Sequence, residues 1–108
     1  ETLRMICTFE MDPPEDRLAV LYEAMNLAND KCWAGAFSLW REQHLMAYRY
    51  GLMLCGGQAA VPEQIDQMLS TAVLACERFY PAFQLVSWGR EDAGPAMEIA
   101  ISEVYGRA

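Results

Sequence analysis

Alternating apolar and polar positions open the chain. Between residues 2 and 11 the odd positions are apolar and most even positions are polar, which predicts a strand with one buried face. Two further strands are predicted at 32–40 and 45–55, joined by a polar connector of hairpin length at 41–44. Gly35, inside the second strand, indicates a bulge or the close approach of another backbone. The third strand is largely apolar on both faces, so we expect a central strand covered on both sides.

Apolar residues at spacings of three and four predict three helices. The first runs from about 14 to 30 and buries a stripe that includes Tyr22. The second begins at Pro62, which the first turn of a helix tolerates. We expect it to end before Pro81, because the residue that precedes a proline disfavours the helical conformation. An apolar connector then leads to a third helix near 92–106.

These elements predict one α+β domain over residues 1–108. Their order, β-α-β-β-α-α, indicates an antiparallel sheet with helices packed on it. A chain of 108 residues has room for a single domain, and its 54% of hydrophobic residues can form a core without disulfides or metal. No internal repeat or linker divides the chain.

Charge and cysteine content narrow the function classes. Fifteen acidic residues against eight basic ones give a net charge of −7, which argues against nucleic acid or anionic lipid as a partner. Apolar stretches are broken well short of a membrane span. The four cysteines are widely spaced and form no Cys-x-x-Cys pair, so we predict reduced core thiols in a cytoplasmic protein.

The residues that could act in catalysis or bind a metal do not form the sequence pattern of a known catalytic or metal site. The sole histidine, His44, lies in a predicted turn without a nucleophile near it in sequence. The cysteines fall on different elements, without the tight spacing of a metal site. We therefore predict a protein that is not an enzyme and holds no metal or cofactor. An enzyme with Cys32 or Cys76 as nucleophile is an alternative that requires a lowered thiol pKa and a basic partner.

Arg49 is the residue that a purely structural interpretation explains least well. It lies in the apolar strand at 45–55, where a buried guanidinium needs a carboxylate or carbonyl partner. Three interpretations stay open. The side chain pairs with Glu77, Glu98 or Glu103; it anchors an anionic group on an exposed sheet face; or it reaches solvent from an edge position.

Aromatic residues supply the other candidate binding positions. Core packing best explains Phe37 and Trp88, whereas Trp40 lies at a strand end with the opposite parity to Phe37 and can be exposed. Exposed aromatic residues beside Met and Leu are typical of protein contacts. The candidate binding residues are therefore Arg49, Trp40, Tyr48, Tyr50 and Trp88.

Several short segments follow one another in a characteristic order. They are Asn29, Gly35–Trp40, Tyr48-Arg49, 78–89 and 96–108. In order and spacing they resemble the bacterial YbjN family of sensory transduction regulators, over nearly the whole chain. Two positions depart from the family pattern: Ala36 stands where histidine is frequent, and Arg90 where a second glycine is frequent.

The resemblance carries expectations about fold and partners. It implies a fold like that of type III secretion chaperones, which are small dimers that hold segments of a partner, and it implies no established enzymatic activity. It also implies a further helix and strands ahead of the strand at 2–11, so that the chain lacks the N-terminal part of a YbjN-like domain.

Two function hypotheses follow. The first is a chaperone-like or regulatory adaptor, a homodimer that binds a client or signalling protein through an open sheet face and strand edges. The second is a sensor that holds a small anionic ligand in a pocket around Arg49, Tyr48 and Trp88.

Overall fold

The computed structural model describes residues 2–32 and 34–105, with the side chains of 103–105 left out of the description. Over these residues the α+β class and the element order β-α-β-β-α-α are confirmed. A 3-10 turn at Glu15–Arg17 precedes the first α-helix. The strands and helices are β1 (Thr2–Glu10), α1 (Leu18–Lys31), β2 (Gly35–Trp40), β3 (Leu45–Met53), α2 (Pro62–Ser87) and α3 (Ala93–Tyr105).

The sheet is antiparallel and has the order β1-β3-β2, so the predicted central position of β3 is confirmed. Arg49 of β3 lies between Ile6 of β1 and Ala36 of β2. Burial alternates residue by residue along β1, as its sequence predicts. The prediction that β3 is covered on both faces is wrong, because Arg49, Gly51 and Met53 are exposed. The helices cover only the other face of the sheet.

Aromatic rings join the sheet to α2. The ring centroid of Phe37 lies 5.0 Å from those of Tyr48 and Phe83, and 5.9 Å from that of Phe79. Phe83 also stacks on Phe9 of β1 at 6.5 Å. Since all three strands contribute to these contacts, the core fixes the position of α2 over the whole width of the sheet.

Helix α2 is longer than its sequence predicts. It continues through Pro81 to Ser87, so both the predicted end before Pro81 and the connector after it are wrong. Proline cannot donate a hydrogen bond to the carbonyl of Glu77, but Glu77 is exposed and water can serve that carbonyl. Phe79 and Phe83, on either side of Pro81, are both buried. Burial of one continuous apolar face outweighs the cost of the proline.

Several side chains are placed differently from their predictions. Tyr22, expected in the buried stripe of α1, is exposed, and Trp88, expected in the core, is 51% exposed just beyond α2. All four cysteines are free, but Cys55 is exposed and the others are half-buried. Trp33, which belongs to the strand predicted at 32–40, lies outside the described residues. Strand β2 begins at Gly35, three residues later than expected, and β3 ends two residues earlier.

Candidate functional site: the open face of the sheet

We call the face of the sheet opposite the helices the open face. The strand register places alternate residues of each strand on it: Thr2, Arg4, Ile6, Thr8 and Glu10 of β1, Ala36, Ser38 and Trp40 of β2, and Leu45, Ala47, Arg49, Gly51 and Met53 of β3. The side chains from β1 are all exposed, and so are those at the far end of β3. The described helices pack on the other face and leave this one without a covering layer.

Two arginines lie close together on the open face. Arg4 is opposite Gly51 and Arg49 is opposite Ile6, so the two are diagonal neighbours on adjacent strands. With Ile6 and Trp40 they line a shallow depression of about 340 Å³. Neither arginine makes a hydrogen bond or ion pair with another described residue. Two like charges at this spacing repel each other, and an acidic partner would remove that repulsion.

The other described arginines all have partners: Arg17, Arg41, Arg78 and Arg90. The guanidinium of Arg90, for example, donates a hydrogen bond to Asp16 and thereby lowers the pKa of that carboxyl. Arg4 and Arg49 differ from these arginines in having no such partner. Of the three interpretations of Arg49, the ion pair with Glu77 or Glu98 is wrong; the side chain of Glu103 lies outside the described residues.

The remaining candidate binding residues do not gather around Arg49 as predicted. Trp40 is half-buried and does line the same depression. Tyr48 is buried on the helix side, because adjacent residues of a strand point to opposite faces. Tyr50 is half-buried, also on the helix side, and borders the depression. Trp88 lies beyond α2 and does not line it. The predicted pocket of Arg49, Tyr48 and Trp88 is therefore not formed.

Sequence reasoning missed Arg4 and Ile6. Only the register of the sheet shows that Arg4 lies beside Arg49, because the two residues are far apart along the chain. Ile6 had a local signal: it is the one apolar residue among the even positions of β1, and it is 50% exposed. An apolar residue in the solvent-facing register of a strand indicates a contact surface.

A second depression, of about 510 Å³, lies at the hairpin end of the sheet. Two close polar pairs line it: His44 Nδ1 lies 3.1 Å from Asp12, and the guanidinium of Arg41 lies 2.7 Å from the carboxylate of Glu15. All four side chains are exposed, and no nucleophile faces them in the described structure. Nor do the described residues include a group of three or more His, Cys, Asp or Glu placed to hold a metal ion.

The half-buried thiols are poorly suited to nucleophilic catalysis. Burial, with a smaller contribution from a hydrogen bond with Cys7, raises the pKa of Cys76 to about 12. Burial also raises the pKa of Cys32, against a smaller opposite effect of Arg78. Because a thiolate is the reactive form, these shifts count against the alternative of an enzyme with Cys32 or Cys76 as nucleophile.

The same burial predicts loss of stability at alkaline pH. Burial raises the pKa of Tyr48 from 10.0 to about 12, and that of Cys76 from 9.0 to about 12. At a pH between the ordinary and the raised pKa, each of these two side chains is ionised in the unfolded chain but neutral in the folded protein. The free energy of unfolding should therefore fall as the pH rises from about 9 towards 12. Urea denaturation at pH 8, 10 and 11 measures this. Tyr48→Phe should reduce the loss above pH 10, whereas Tyr22→Phe, at an exposed site, should not; equal stability at pH 8 and 11 would contradict the prediction.

The two edges of the sheet differ. On β2, the amide of Asn29 accepts a hydrogen bond from the Phe37 N–H at 2.7 Å and donates one to the Phe37 carbonyl at 3.1 Å. This amide takes the place of a neighbouring strand and protects that edge. On β1, the Met11 N–H donates to the His44 carbonyl at 2.9 Å, which places the backbone groups of odd residues towards β3. The even residues of β1 therefore present their N–H and C=O groups outward, and no described segment pairs with them.

Comparison with known proteins places the chain in a family. No curated protein and no solved structure matches it, so the likeness to type III secretion chaperones stays a prediction. None of the described helices has both the length and the apolar character needed to cross a bilayer. The family model described as "YbjN: Putative bacterial sensory transduction regulator" matches residues 1–85, which include the whole sheet and most of α2. That description is of a regulator and not of an enzyme. The chain belongs to the YbjN family.

Proposed function

We propose that this chain is a non-enzymatic regulatory domain that binds another protein through the open face of its sheet. The observation that carries the proposal is the pair Arg4 and Arg49, exposed and unpartnered among the described residues of a chain whose net charge is −7. Arginine is enriched at protein contacts because its guanidinium binds carboxylates in a fixed geometry. The membership in a family of regulators supports a role of this kind.

The open face also favours a particular partner chemistry. Ile6 is 50% exposed and Met53 is 77% exposed, so apolar surface borders the two arginines. Trp40 adds an aromatic ring at the other side of the depression. A partner segment that combines acidic and apolar side chains would neutralise the arginines and bury this surface. The negative charge on the rest of the chain would direct such a segment to this face.

The proposal includes a mode of action and a compartment. Holding an extended partner segment on a sheet is how a chaperone-like adaptor acts, and it needs no catalytic group. Four free thiols suit a reducing compartment, and we therefore propose that the protein acts in the cytoplasm.

Arg49→Glu is expected to weaken partner binding about tenfold or more, because it replaces the attracting charge on the open face by a repelling one. Co-purified proteins quantified by mass spectrometry, followed by titration of the identified partner, measure the effect. Lys31→Glu is the matched control, since it makes the same change of charge at an exposed position near the end of α1. Equal retention of the partner by both variants, or equal loss, would refute the proposed contact surface.

A small anionic ligand is a second candidate, favoured by the depression that Arg4, Arg49 and Trp40 line together. A ligand that binds only the folded state raises the melting temperature as its concentration rises. Inorganic phosphate, citrate and nucleoside monophosphates are suitable probes. A shift that is present in the wild type and lost in Arg49→Ala would favour this sensor function, and no shift with any of these anions would leave protein binding as the better interpretation.

A further inference from the structure

Another depression lies on the helix side of the sheet, and we call it the helix-side depression. It has a volume of about 220 Å³ and is formed where the end of α1, the residue before β2 and one flank of α2 meet. Tyr48 of β3 lines it. Because adjacent residues of a strand point to opposite faces, Arg49 lies on the other side of the sheet. The helix-side depression is therefore separate from the open face.

The charged and hydroxyl side chains around this depression all donate hydrogen bonds. Lys31 and Arg78 are cations, and Thr71 and Tyr48 add hydroxyl groups. None of the described residues that line the depression is acidic. Lys31 is the sole lysine of a chain whose net charge is −7, and it forms no ion pair with another described residue. The depression is therefore complementary to an anion.

The hydroxyl of Tyr48 forms no hydrogen bond with another described residue. The side chain is 1% exposed, and a buried phenol normally has such a partner. Gly35 lies against the end of the ring, since a methyl group there would be 2.7 Å from the hydroxyl oxygen, and the ring is thereby held in place. Burial raises the pKa of Tyr48 to about 12, so the hydroxyl keeps its proton at neutral pH. An anion in the depression would supply the acceptor that this donor lacks.

The wall of the helix-side depression is apolar. Leu74, Ala75 and Phe79 of α2 supply it. Together with Thr71 and Arg78 they lie at spacings of three and four, on one flank of the helix. Leu74 is 63% exposed, so part of this apolar surface is open to a ligand. The volume is below the range of about 300–1,000 Å³ that is usual for drug-sized ligands, and it favours a short alkyl chain or a single ring.

We propose that the helix-side depression binds a small organic acid, whose carboxylate is held by Lys31, Arg78 and the Tyr48 hydroxyl while its apolar body packs on α2. Arg78 can bind the acid and keep its present partner, because a guanidinium has five N–H donors. Its charge acts within the depression, since it opposes the rise that burial causes in the pKa of Cys32. That rise keeps the Cys32 thiol neutral, so no thiolate competes with the ligand for the two cations. This inference goes beyond the proposed function, because neither the site nor the ligand is that of the open face.

Isothermal titration calorimetry with acetate, butyrate and hexanoate tests the apolar part of the site. We expect one hexanoate per chain, with an affinity that rises along the series by up to about fourfold for each methylene group that is buried. Phenylacetate should also bind, and inorganic phosphate, which has no apolar body, should bind more weakly than hexanoate. No saturable binding of hexanoate or phenylacetate at about 10 mM ligand, or equal affinities for acetate and hexanoate, would overturn the proposal.

Two variants test the polar part. Lys31→Gln and Tyr48→Phe should each weaken hexanoate binding about tenfold or more, because each removes a hydrogen bond to a charged group. Lys31 is exposed, and Tyr48→Phe removes only a hydroxyl group, so circular dichroism should show both variants folded. The matched control is Arg41→Gln, which removes an exposed positive charge outside the depression and should leave the affinity unchanged. Unchanged binding in either test variant, or loss of binding in Arg49→Ala, which would place the acid on the open face, contradicts the inference.

Alkylation of the cysteines locates the bound acid independently. Cys32 lines the helix-side depression, whereas Cys55 is exposed and does not. Saturating hexanoate should slow the reaction of Cys32 with iodoacetamide, measured by peptide mass spectrometry, and leave that of Cys55 unchanged. An unchanged rate at Cys32 would refute the proposed location. These measurements need no partner protein, and the Arg49→Glu test needs no added acid, so the two proposals fail separately.

Discussion

Replacing Phe83 with alanine is expected to lower the free energy of unfolding by about 3–5 kcal/mol. Phe83 has no exposed surface, and its ring packs on both Phe37 and Phe9. It therefore joins α2 to both edge strands of the sheet. Removing the ring leaves a cavity that the surrounding layers cannot fill, because strands and helix are held apart by the other aromatic rings. Urea denaturation followed by circular dichroism measures the loss.

The control is Leu74→Ala in the same helix. Leu74 is 63% exposed, and the substitution removes apolar atoms from α2 without opening a cavity. We expect a change within about 0.5 kcal/mol, as for most surface positions. If both variants lost the same stability, the effect would belong to the helix itself and not to the packing of Phe83 between the layers.

Strand β1 could be predicted almost completely from the sequence. A period of two is visible within nine residues, and it fixes which side chains share a face whatever lies elsewhere in the chain. The same period of two also divides the residues of β3 between two faces of the sheet. The alternation along a strand does not predict which of its two faces the helices cover, because that depends on the rest of the fold. Arg49 lies exposed on the open face, so of its three interpretations the ion pair with Glu77 or Glu98 is wrong.

Helix α2 shows a different limit. A local rule, that the residue before a proline disfavours the helical conformation, predicted its end before Pro81. Phe79 and Phe83 are buried on the same face of the helix, and this tertiary packing outweighs the local cost. The rule was sound for an isolated segment, but the stability of a helix in a protein comes mainly from the face that it buries.

The candidate site could be predicted only in part for the same reason. The sequence predicts Arg49 and Trp40 separately as candidate binding residues, and both line the depression on the open face. Arg4 could not be found, since its nearness to Arg49 depends on how β1 pairs with β3. Asn29 is one of the residues that resemble the family pattern, but the sequence assigns it no structural role. The structure shows that its side-chain amide binds the edge of β2.

Gly35→Ala is expected to lower the free energy of unfolding by about 1–3 kcal/mol, the usual range for overpacking. A methyl group at Gly35 would lie 2.6 Å from Cζ of Tyr48 and 2.7 Å from the carbonyl oxygen of Arg49. Tyr48 is 1% exposed, so its ring has no room to move, and the carbonyl is part of the β2–β3 ladder. The sequence predicts either a bulge or the close approach of another backbone at this glycine, and the close approach is the one observed. Thermal and urea denaturation measure the loss.

Gly51→Ala is the matched control in the same sheet. A methyl group there would have a single neighbour within 4 Å, Cγ2 of Thr2 at an ordinary 3.8 Å. Both substitutions remove the same conformational freedom from the unfolded chain, which by itself favours folding by about 0.4–1 kcal/mol. Gly51→Ala should therefore be neutral or slightly stabilising. Equal losses at Gly35 and Gly51 would refute the contact with Tyr48 as the cause, whereas a loss at Gly35 alone would show that β2 and Tyr48 fit together only when residue 35 has no side chain.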